Sequence, residues 1–259
     1  MTGAGYEIRT INGLGRAAVA TKDFAIGELI ISETPVLTVP VHRAPIESPS
    51  FDKLSKALTA VAHVKDGDSN GQPVAAAAEA EAQLQASAIV TFLDLNETDR
   101  INVLTNFAAP PLDTPQPAVE LIKAFAKAAS SLESMPSEEA LQKLLLVLAT
   151  NAHEFVEDGA VYVGLYEKGS KLAHSCSPKT VYLGDGRTLK HYALQPIKTG
   201  DIITTNYTVR DDILFSLRVH PLYRTGSSAH HSVRHVQSFI NTDYTVFCGL
   251  SAHGLANVD

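Results

Sequence analysis

The chain has 259 residues, of which 45% are hydrophobic, enough to bury the core of one large domain or two small ones. Its formal charge of −7 argues against a protein that coats nucleic acid, because phosphate binding requires clustered Lys and Arg. No apolar run reaches the roughly 18 residues that span a bilayer, and two cysteines cannot build a disulfide framework. We therefore expect an intracellular protein, in the cytoplasm or the nucleus. We expect it to bind neither membrane nor nucleic acid directly.

The first part of the chain, residues 1–45, is predicted to be β structure. Short apolar runs at residues 8–11 and 17–20 flank the turn-forming cluster Asn12-Gly13-Leu14-Gly15. A second turn at residues 25–28 precedes a run rich in β-branched residues, which predicts a further strand.

The middle part, residues 46–150, has helical periodicity. Asn96 with Asp99 behind it, and Ser137 with Glu138 and Glu139 behind it, are typical helix starts. We therefore expect a helical insert that packs on the β part. Its apolar stripes recur at three to four residues: Leu84, Ala88, Phe92 and Leu95; Val119, Ile122, Ala126, Ala129 and Leu132; Leu141, Leu144, Leu145 and Leu148.

Short strands return between residues 151 and 210, at 161–165, 180–183, 189–193 and 202–207. Asp185-Gly186 is a strong hairpin signal between the second and third of these. Neither β piece alone has enough strands to bury a core, so the pattern predicts one α+β domain interrupted by the helical insert. Beyond residue 210 the pattern weakens, and residues 211–259 are interpreted as a diverged or truncated tail.

Two short motifs could contact a ligand or carry chemistry. Gly13-Leu14-Gly15 is a G-x-G followed by a strand, where glycine lets the backbone approach a ligand closely. It lacks the third glycine and the helix of a dinucleotide-binding fingerprint. In His174-Ser175-Cys176, a histidine two residues from a cysteine on a turn rarely meets it in attack geometry, so a Cys–His nucleophile is discounted. We expect Cys176 to be a small buried residue.

The order of motifs between Lys171 and Thr208 resembles the C-terminal half of a SET domain, the fold of protein lysine methyltransferases. His174 through Pro178 match part of the family's Asn-His-Ser-Cys-x-Pro-Asn segment. Residues 196–203, PIKTGDII, resemble the turn before the catalytic strand, and residues 151–166 resemble the approach to the histidine element in the SET–MYND branch. The resemblance implies a β-clip of short strands in which one segment crosses under another as a pseudoknot.

The resemblance also implies a cofactor, a reaction and a set of site residues. S-adenosylmethionine would be the cofactor, and a lysine side chain of a protein or peptide would accept its methyl group. Gly13-Leu14-Gly15 would cup the methionine end of the cofactor, Ala173-His174 stands where the family's Asn-His part contacts its amino group and adenine, and Ser175 would line the cofactor beside them. Tyr207 would place its hydroxyl beside the methyl group, and such a site works by orienting the reactants.

Three features depart from the family pattern. Ala173 stands where the family has asparagine, and a lost hydrogen bond to a charged group is worth about 1.5–3 kcal/mol, or about tenfold to a hundredfold in affinity. Lys179 replaces the second asparagine with a long cation, which we expect to disturb the crossing. Only Cys248 follows Tyr207, too few for a post-SET zinc site, and residues 46–150 contain no cysteine for a MYND zinc finger.

Three interpretations stay open from the sequence. The first is a methyltransferase, and the second is a non-catalytic SET-fold protein whose helical insert binds protein partners. The third is an unrelated β protein with chance matches, which fails if the strands near 14–21 and 161–207 belong to one sheet system. His231 and His235 have the i, i+4 spacing of a metal-binding pair, but no helix signal or carboxylate accompanies them, so no metal site is predicted.

Overall fold

The computed structural model describes residues 5–41, 48–65, 72–109 and 117–207. Within these ranges the chain forms ten β-strands and five α-helices. The strands are β1 (Tyr6–Ile11), β2 (Gly15–Ala20), β3 (Leu29–Glu33), β4 (Leu37–Val41), β5 (Ala152–Glu157), β6 (Ala160–Leu165), β7 (Ala173–His174), β8 (Thr180–Asp185), β9 (Thr188–Ala193) and β10 (Thr204–Thr205). The helices are α1 (Pro49–Lys65), α2 (Gln72–Leu93), α3 (Glu97–Asn106), α4 (Pro117–Ser130) and α5 (Glu138–Asn151). The tail, with Cys248, His231 and His235, lies outside the described residues.

The first hairpin forms around the turn that the sequence predicts. β1 and β2 pair antiparallel along their whole length, and the last four residues of β2 are buried. Gly13 and Gly15 have φ values of 77° and 73°, a left-handed conformation that glycine adopts without steric cost. Leu14, at the tip, is 54% exposed. The stem of the hairpin therefore belongs to the core, whereas its tip faces outward.

The strands before the helices pair with the strands after them. One three-stranded sheet has the order β3-β9-β8 and another has the order β4-β6-β5, with antiparallel neighbours throughout. Isolated bridges join Val19 to Ile202 and Phe24 to Ile197. Strand pairing and isolated bridges thus join the two β pieces, which argues against the interpretation as an unrelated β protein with chance matches.

Both predicted helix starts are confirmed by their capping hydrogen bonds. The Asn96 side chain accepts from the backbone N–H of Asp99 at 2.9 Å, and the Ser137 hydroxyl accepts from that of Ala140 at 3.3 Å. Buried apolar residues of the helices form one core with Leu37, Val39 and Leu165 of β4 and β6. The helical segment therefore packs on the β4-β6-β5 sheet, as predicted.

A second core joins the two β pieces and leads to the candidate site. Each piece contributes only part of the buried surface of this core, in line with the prediction that neither piece has enough strands to bury a core alone. Leu172, next to the candidate cofactor-binding residues, is fully buried in it. The members of this core are Ala18, Ala20, Phe24, Ile30, Ile31, Leu172, Ala193, Ile197 and Ile203.

Two strand predictions need correction, and one hairpin is confirmed. The strand predicted at 202–207 is reduced to Thr204–Thr205, because the segment changes partner from β2 to β7 on the way. β5 was not predicted, because it follows α5 without a turn. In addition, the charged residues in its sequence, AHEFVE, interrupt the alternation of apolar and polar residues that indicates a strand. The β8–β9 hairpin turns at Gly186-Arg187, one residue later than the predicted Asp185-Gly186, with Asp185 paired to Thr188.

Candidate cofactor and active site

The segment that leads to Tyr207 is hydrogen-bonded to two strands in turn. Its first part bonds to β2, where the N–H of Ile203 donates to the carbonyl of Ala18 at 2.9 Å. Its next part, β10, pairs in parallel with β7, and the N–H of Ser175 donates to the carbonyl of Thr205 at 3.0 Å. Ala173-His174-Ser175 therefore lies beside the residues that precede Tyr207, the juxtaposition that the resemblance predicts for the pseudoknot.

Tyr207 is fixed to this segment at both its backbone and its side chain. Its N–H donates to Nδ1 of His174 at 3.1 Å, and its hydroxyl donates to the carbonyl oxygen of Leu172. The centroids of the Tyr207 and His174 rings lie 5.2 Å apart. The structure thus brings together the two side chains that the sequence analysis assigned to catalysis and to cofactor binding.

Cys176 corrects two predictions at once. Its side chain is exposed, not buried, and its Sγ lies 3.5 Å from Nε2 of His174. Because Nδ1 of His174 accepts a backbone N–H, a neutral ring carries its proton on Nε2, which faces the sulfur. Partial burial lowers the pKa of His174 and so favours this neutral form. In that form Nε2 cannot accept the thiol proton, so Cys176 and His174 still do not form an activated nucleophile.

The hydroxyl of Ser175 closes the turn that follows His174. It accepts the N–H of Ser177 at 3.1 Å and donates to the carbonyl of Ser177 at 2.9 Å. Such a local side-chain to backbone exchange holds a turn without help from a regular ladder. The hydroxyl of Ser175, a residue expected to line the cofactor, thus stabilises this turn.

Lys179, which the sequence analysis expected to disturb the crossing, forms two contacts within it. Its Nζ forms an ion pair of 2.7 Å with the carboxylate of Asp201, and its backbone N–H donates to the hydroxyl of Thr204 at 3.0 Å. Lys179 is the main cause of a lowered pKa of Asp201. The long cation therefore links the turn after the histidine motif to the segment that crosses it.

The G-x-G tip offers an open stretch of backbone. A Cβ built on Gly13 or Gly15 would meet no atom within 4 Å, so neither glycine is required by crowding inside the protein. Positive φ at both positions explains why glycine stands there. The space beside both glycines allows a ligand to approach the tip closely, while the N–H of Leu14 donates to the carbonyl of Ile11 at 3.1 Å within the turn. Arg16, the residue after this tip, contacts the same helix end as Lys171, which lies shortly before the histidine segment.

Arg16 and Lys171 are polar residues of the site that the sequence analysis missed. Nζ of Lys171 donates to the carbonyl of Asn106, at the end of α3. The guanidinium of Arg16 reaches the carbonyl of Thr105 at 3.4 Å and the amide oxygen of Asn106 at 3.5 Å. Burial of Lys171 and the nearby charge of Arg16 lower the pKa of Lys171 to about 8. The only sequence signal was that each cation flanks a candidate motif.

Glu33 anchors the short turn of 3-10 helix at Gly169–Lys171, which leads into Leu172 and Ala173. Its carboxylate accepts the N–H of Lys168 at 2.9 Å and that of Gly169 at 2.5 Å. A Cβ on Gly169 would lie 3.2 Å from this carboxylate, so glycine gives the required close approach. Burial raises the pKa of Glu33. This carboxylate was also missed, because a lone acid at a strand end gives no pattern.

Two searches over the described residues bear on other functions. In that part of the chain, no group of three or more His, Cys, Asp or Glu side chains is arranged to hold a metal ion. None of the helices described there combines the length and hydropathy needed to cross a membrane.

Comparisons with known proteins point to one family. The sequence profile of the SET domain matches residues 15–208. A SET domain-containing protein of Acanthamoeba polyphaga mimivirus is 35% identical over 57 residues, which cover 22% of this chain and 21% of that protein.

Solved structures give similarities at lower identity. The SET domain of LSMT bound to lysine and AdoHcy has 13% identity and a TM-score of 0.38, over 81% of this chain and 51% of that one. Rubisco LSMT bound to AdoMet has 11% identity and a TM-score of 0.38, over 81% and 50%. The chain thus spans about half the length of these structures and about a fifth of the mimiviral protein. On the profile match over residues 15–208, the chain belongs to the SET domain family.

Proposed function

We propose that this protein is an S-adenosylmethionine-dependent methyltransferase that acts on a lysine side chain of a protein or peptide. The observation that carries the proposal is the hydrogen bond between the Tyr207 N–H and His174 Nδ1, formed across a sequence separation of 33 residues. It joins the residue proposed for catalysis to the residue proposed for cofactor binding. Membership of the SET domain family supports the same assignment.

The residues present fit such a cofactor in most respects. The space beside Gly13 and Gly15 lets a ligand approach the hairpin tip, and His174 offers a neutral ring held in one tautomer. Ala173 is the weak point, because its methyl group offers no hydrogen bond to the cofactor's amino group. When bound, S-adenosylmethionine would supply a methyl group on a cationic sulfur. The chain's own task would be to hold the methyl donor and the lysine in line.

Tyr207 has the geometry of an orienting acceptor. Its O–H donates to the carbonyl of Leu172, so the proton is directed toward the protein and the oxygen presents its lone pairs as acceptors. Acceptors that are fixed in advance favour a transition state in which positive charge moves from sulfur to nitrogen. The side chain is 42% exposed, so a substrate can reach it.

Calorimetric titration with S-adenosylmethionine tests the proposal most directly. We expect micromolar binding by the natural protein, and about tenfold tighter binding by Ala173→Asn, which adds the amide found in the family. Ala173→Leu is the matched control, because it adds similar bulk without an amide and should not tighten binding. Absence of binding in the natural protein would contradict the proposal, and binding restored only in Ala173→Asn would mark a SET fold that has lost its cofactor.

A second function is favoured by one specific observation, the alanine at position 173. A SET-fold protein that binds no cofactor would serve as a scaffold, with the helices between Pro49 and Asn151 as the surface for protein partners. The titration separates the two functions, since a scaffold binds no cofactor in its natural form. For either function we propose residues 1–210 as the SET domain, with 46–150 as its insert and 211–259 as a diverged tail, in an intracellular protein.

A further inference from the structure

The C-terminal end of α3 receives two cations from separate parts of the candidate site. Arg16 directly follows the G-x-G hairpin tip, and its guanidinium contacts the carbonyl of Thr105 and the side chain of Asn106. Lys171 stands two residues before Ala173, and its Nζ donates to the carbonyl of Asn106. One helix end is therefore the common anchor for both segments assigned to cofactor binding.

Helix physics explains why cations are held there. The last carbonyl groups of a helix have no partner within the helix and carry partial negative charge. α3 has no basic residue in its own last turn. Arg16 and Lys171 thus supply from outside the donors that the helix lacks. Because the two cations reach neighbouring carbonyls, a displacement of α3 would shift both segments together.

Lys171 is the more constrained of the two cations. It is only 7% exposed, and its Nζ lies 5.0 Å from the centroid of the Phe107 ring and 2.8 Å from the hydroxyl of Ser170. A buried ammonium group requires fixed partners, since any movement away from them leaves the charge unpaired in a poorly solvated place. Its position, and that of the main chain next to it, is therefore determined by α3.

A chain of hydrogen bonds also joins α3 to the turn that precedes Lys171. Asn106 donates to the amide oxygen of Asn102 at 2.6 Å, and Asn102 donates to the carboxylate of Glu167 at 3.3 Å. Ser170 then donates to the carbonyl of Glu167 at 2.8 Å. The turn before Ala173 is thus held on α3 at two points.

We propose that the C-terminal end of α3 positions both cofactor-binding segments, with Lys171 as the principal positioning residue and Arg16 as the second. The helical insert would then be part of the cofactor site and not only a surface for partners. This inference rests on the proposed function, because it presumes that the two segments bind S-adenosylmethionine.

The test compares matched variants. Lys171→Met keeps the length of the side chain and removes the charge, Lys171→Arg restores a cation, and Arg16→Met removes the second contact. Lys123→Met is the control, since Lys123 forms an ion pair of 2.7 Å with Glu120 on α4, elsewhere in the insert. Three quantities are measured for each: hydrogen exchange of the amides of residues 172–175 without cofactor, the Kd for S-adenosylmethionine, and Tm.

We expect Lys171→Met to speed exchange at these amides and to weaken cofactor binding, each by about tenfold. Arg16→Met should give a smaller change of the same kind, Lys171→Arg should recover most of both losses, and Lys123→Met should change neither. If Lys171 had only a structural role, Lys171→Met would lower Tm and Lys171→Arg would not recover the lost exchange protection and affinity. If Lys171→Met does not fold, Arg16→Met, at an exposed residue, and Lys171→Arg still test whether α3 positions the two segments.

The two levels of the proposal fail in different ways. If the natural protein binds no S-adenosylmethionine, the proposed function fails, whereas exchange at residues 172–175 still reports whether α3 positions them. If the natural protein binds the cofactor but Lys171→Met matches it in exchange and in Kd, the positioning role is overturned. Equal losses in Lys171→Met and Lys123→Met would overturn it as well.

Discussion

The hydroxyl of Tyr207 donates a hydrogen bond to the carbonyl oxygen of Leu172, two residues before His174. This contact gives the phenol one orientation, while its ring stays beside the histidine. Leu172 is itself fully buried, so the acceptor is fixed by the core. The orientation of the proposed catalytic group is therefore inherited from the packing of the two β pieces.

Tyr207→Phe should separate the catalytic from the structural role of this contact. We expect methyl transfer to fall about 100-fold or more, because the oriented oxygen is lost, while Kd for S-adenosylmethionine stays nearly unchanged. The free energy of unfolding should fall by about 0.5–1.5 kcal/mol, since the Leu172 carbonyl loses a donor. Tyr162→Phe, whose ring stacks on Phe155 away from the site, is the control. A parallel loss of affinity and transfer would mean that Tyr207 is structural.

The buried His191 and the partly buried His153 should make the protein sensitive to mild acid. His191 is fully buried, and in the described part of the chain neither of its ring nitrogens has a hydrogen-bond partner. Burial lowers the pKa of His191 to about 3 and that of His153 to about 4. The groups around them are the Tyr166 and Tyr182 rings and, near the His191 ring, the Glu33 carboxylate.

The sign of the effect follows from linkage. An unfolded histidine has a pKa near 6.5, so below that pH the unfolded chain binds protons that the folded chain does not. Stability should therefore fall as pH drops from 6.5 toward the folded pKa values, by about 2 kcal/mol for His191 between pH 7 and pH 5. Urea unfolding at pH 7, 6 and 5 measures it. His191→Leu should flatten the profile, and an unchanged slope in that variant would contradict the assignment.

Restoring the family residue at position 179 should not stabilise the protein. The ion pair between Lys179 and Asp201 is partly exposed, with 29% and 34% of the two side chains accessible, so its loss should cost at most about 1 kcal/mol. Because the pair lowers the pKa of Asp201, its contribution is present at neutral pH and is lost as pH falls through the folded pKa.

Thermal unfolding of Lys179→Asn at neutral pH and at pH 3 checks this expectation. The variant should have a lower Tm than the natural protein at neutral pH, and the difference should shrink in acid. Lys190→Met removes an ion pair to Asp185, which is 79% exposed, and should change Tm little. A higher Tm for Lys179→Asn would show that the cation does disturb the crossing.

Gly164 in β6 should be intolerant of any side chain. A Cβ there would lie 2.9 Å from atoms of both Pro35 and Tyr166, neither of which can move freely in the packed sheet. Gly164→Ala should therefore lower the free energy of unfolding by about 1–3 kcal/mol. Gly184→Ala in β8 is the matched control, because no atom lies within 4 Å of its Cβ. Equal unfolding midpoints in urea for the two variants would contradict the crowding argument.

Elements whose signals are local could be predicted from the amino-acid sequence alone. The caps at Asn96 and Ser137 and the glycine turn between β1 and β2 depend on residues a few positions apart, so they could be read directly. The family motif around His174 could be recognised for the same reason, because its residues are contiguous in sequence.

Tertiary structure decided the features that depend on residues far apart in sequence. The short β10, the exposure of Cys176 and the ion pair of Lys179 follow from a segment that changes partner between β2 and β7. The meeting of Arg16 and Lys171 at the end of α3 likewise has no local signal. Such contacts are set by how separate pieces share one core, and no window of sequence contains both partners.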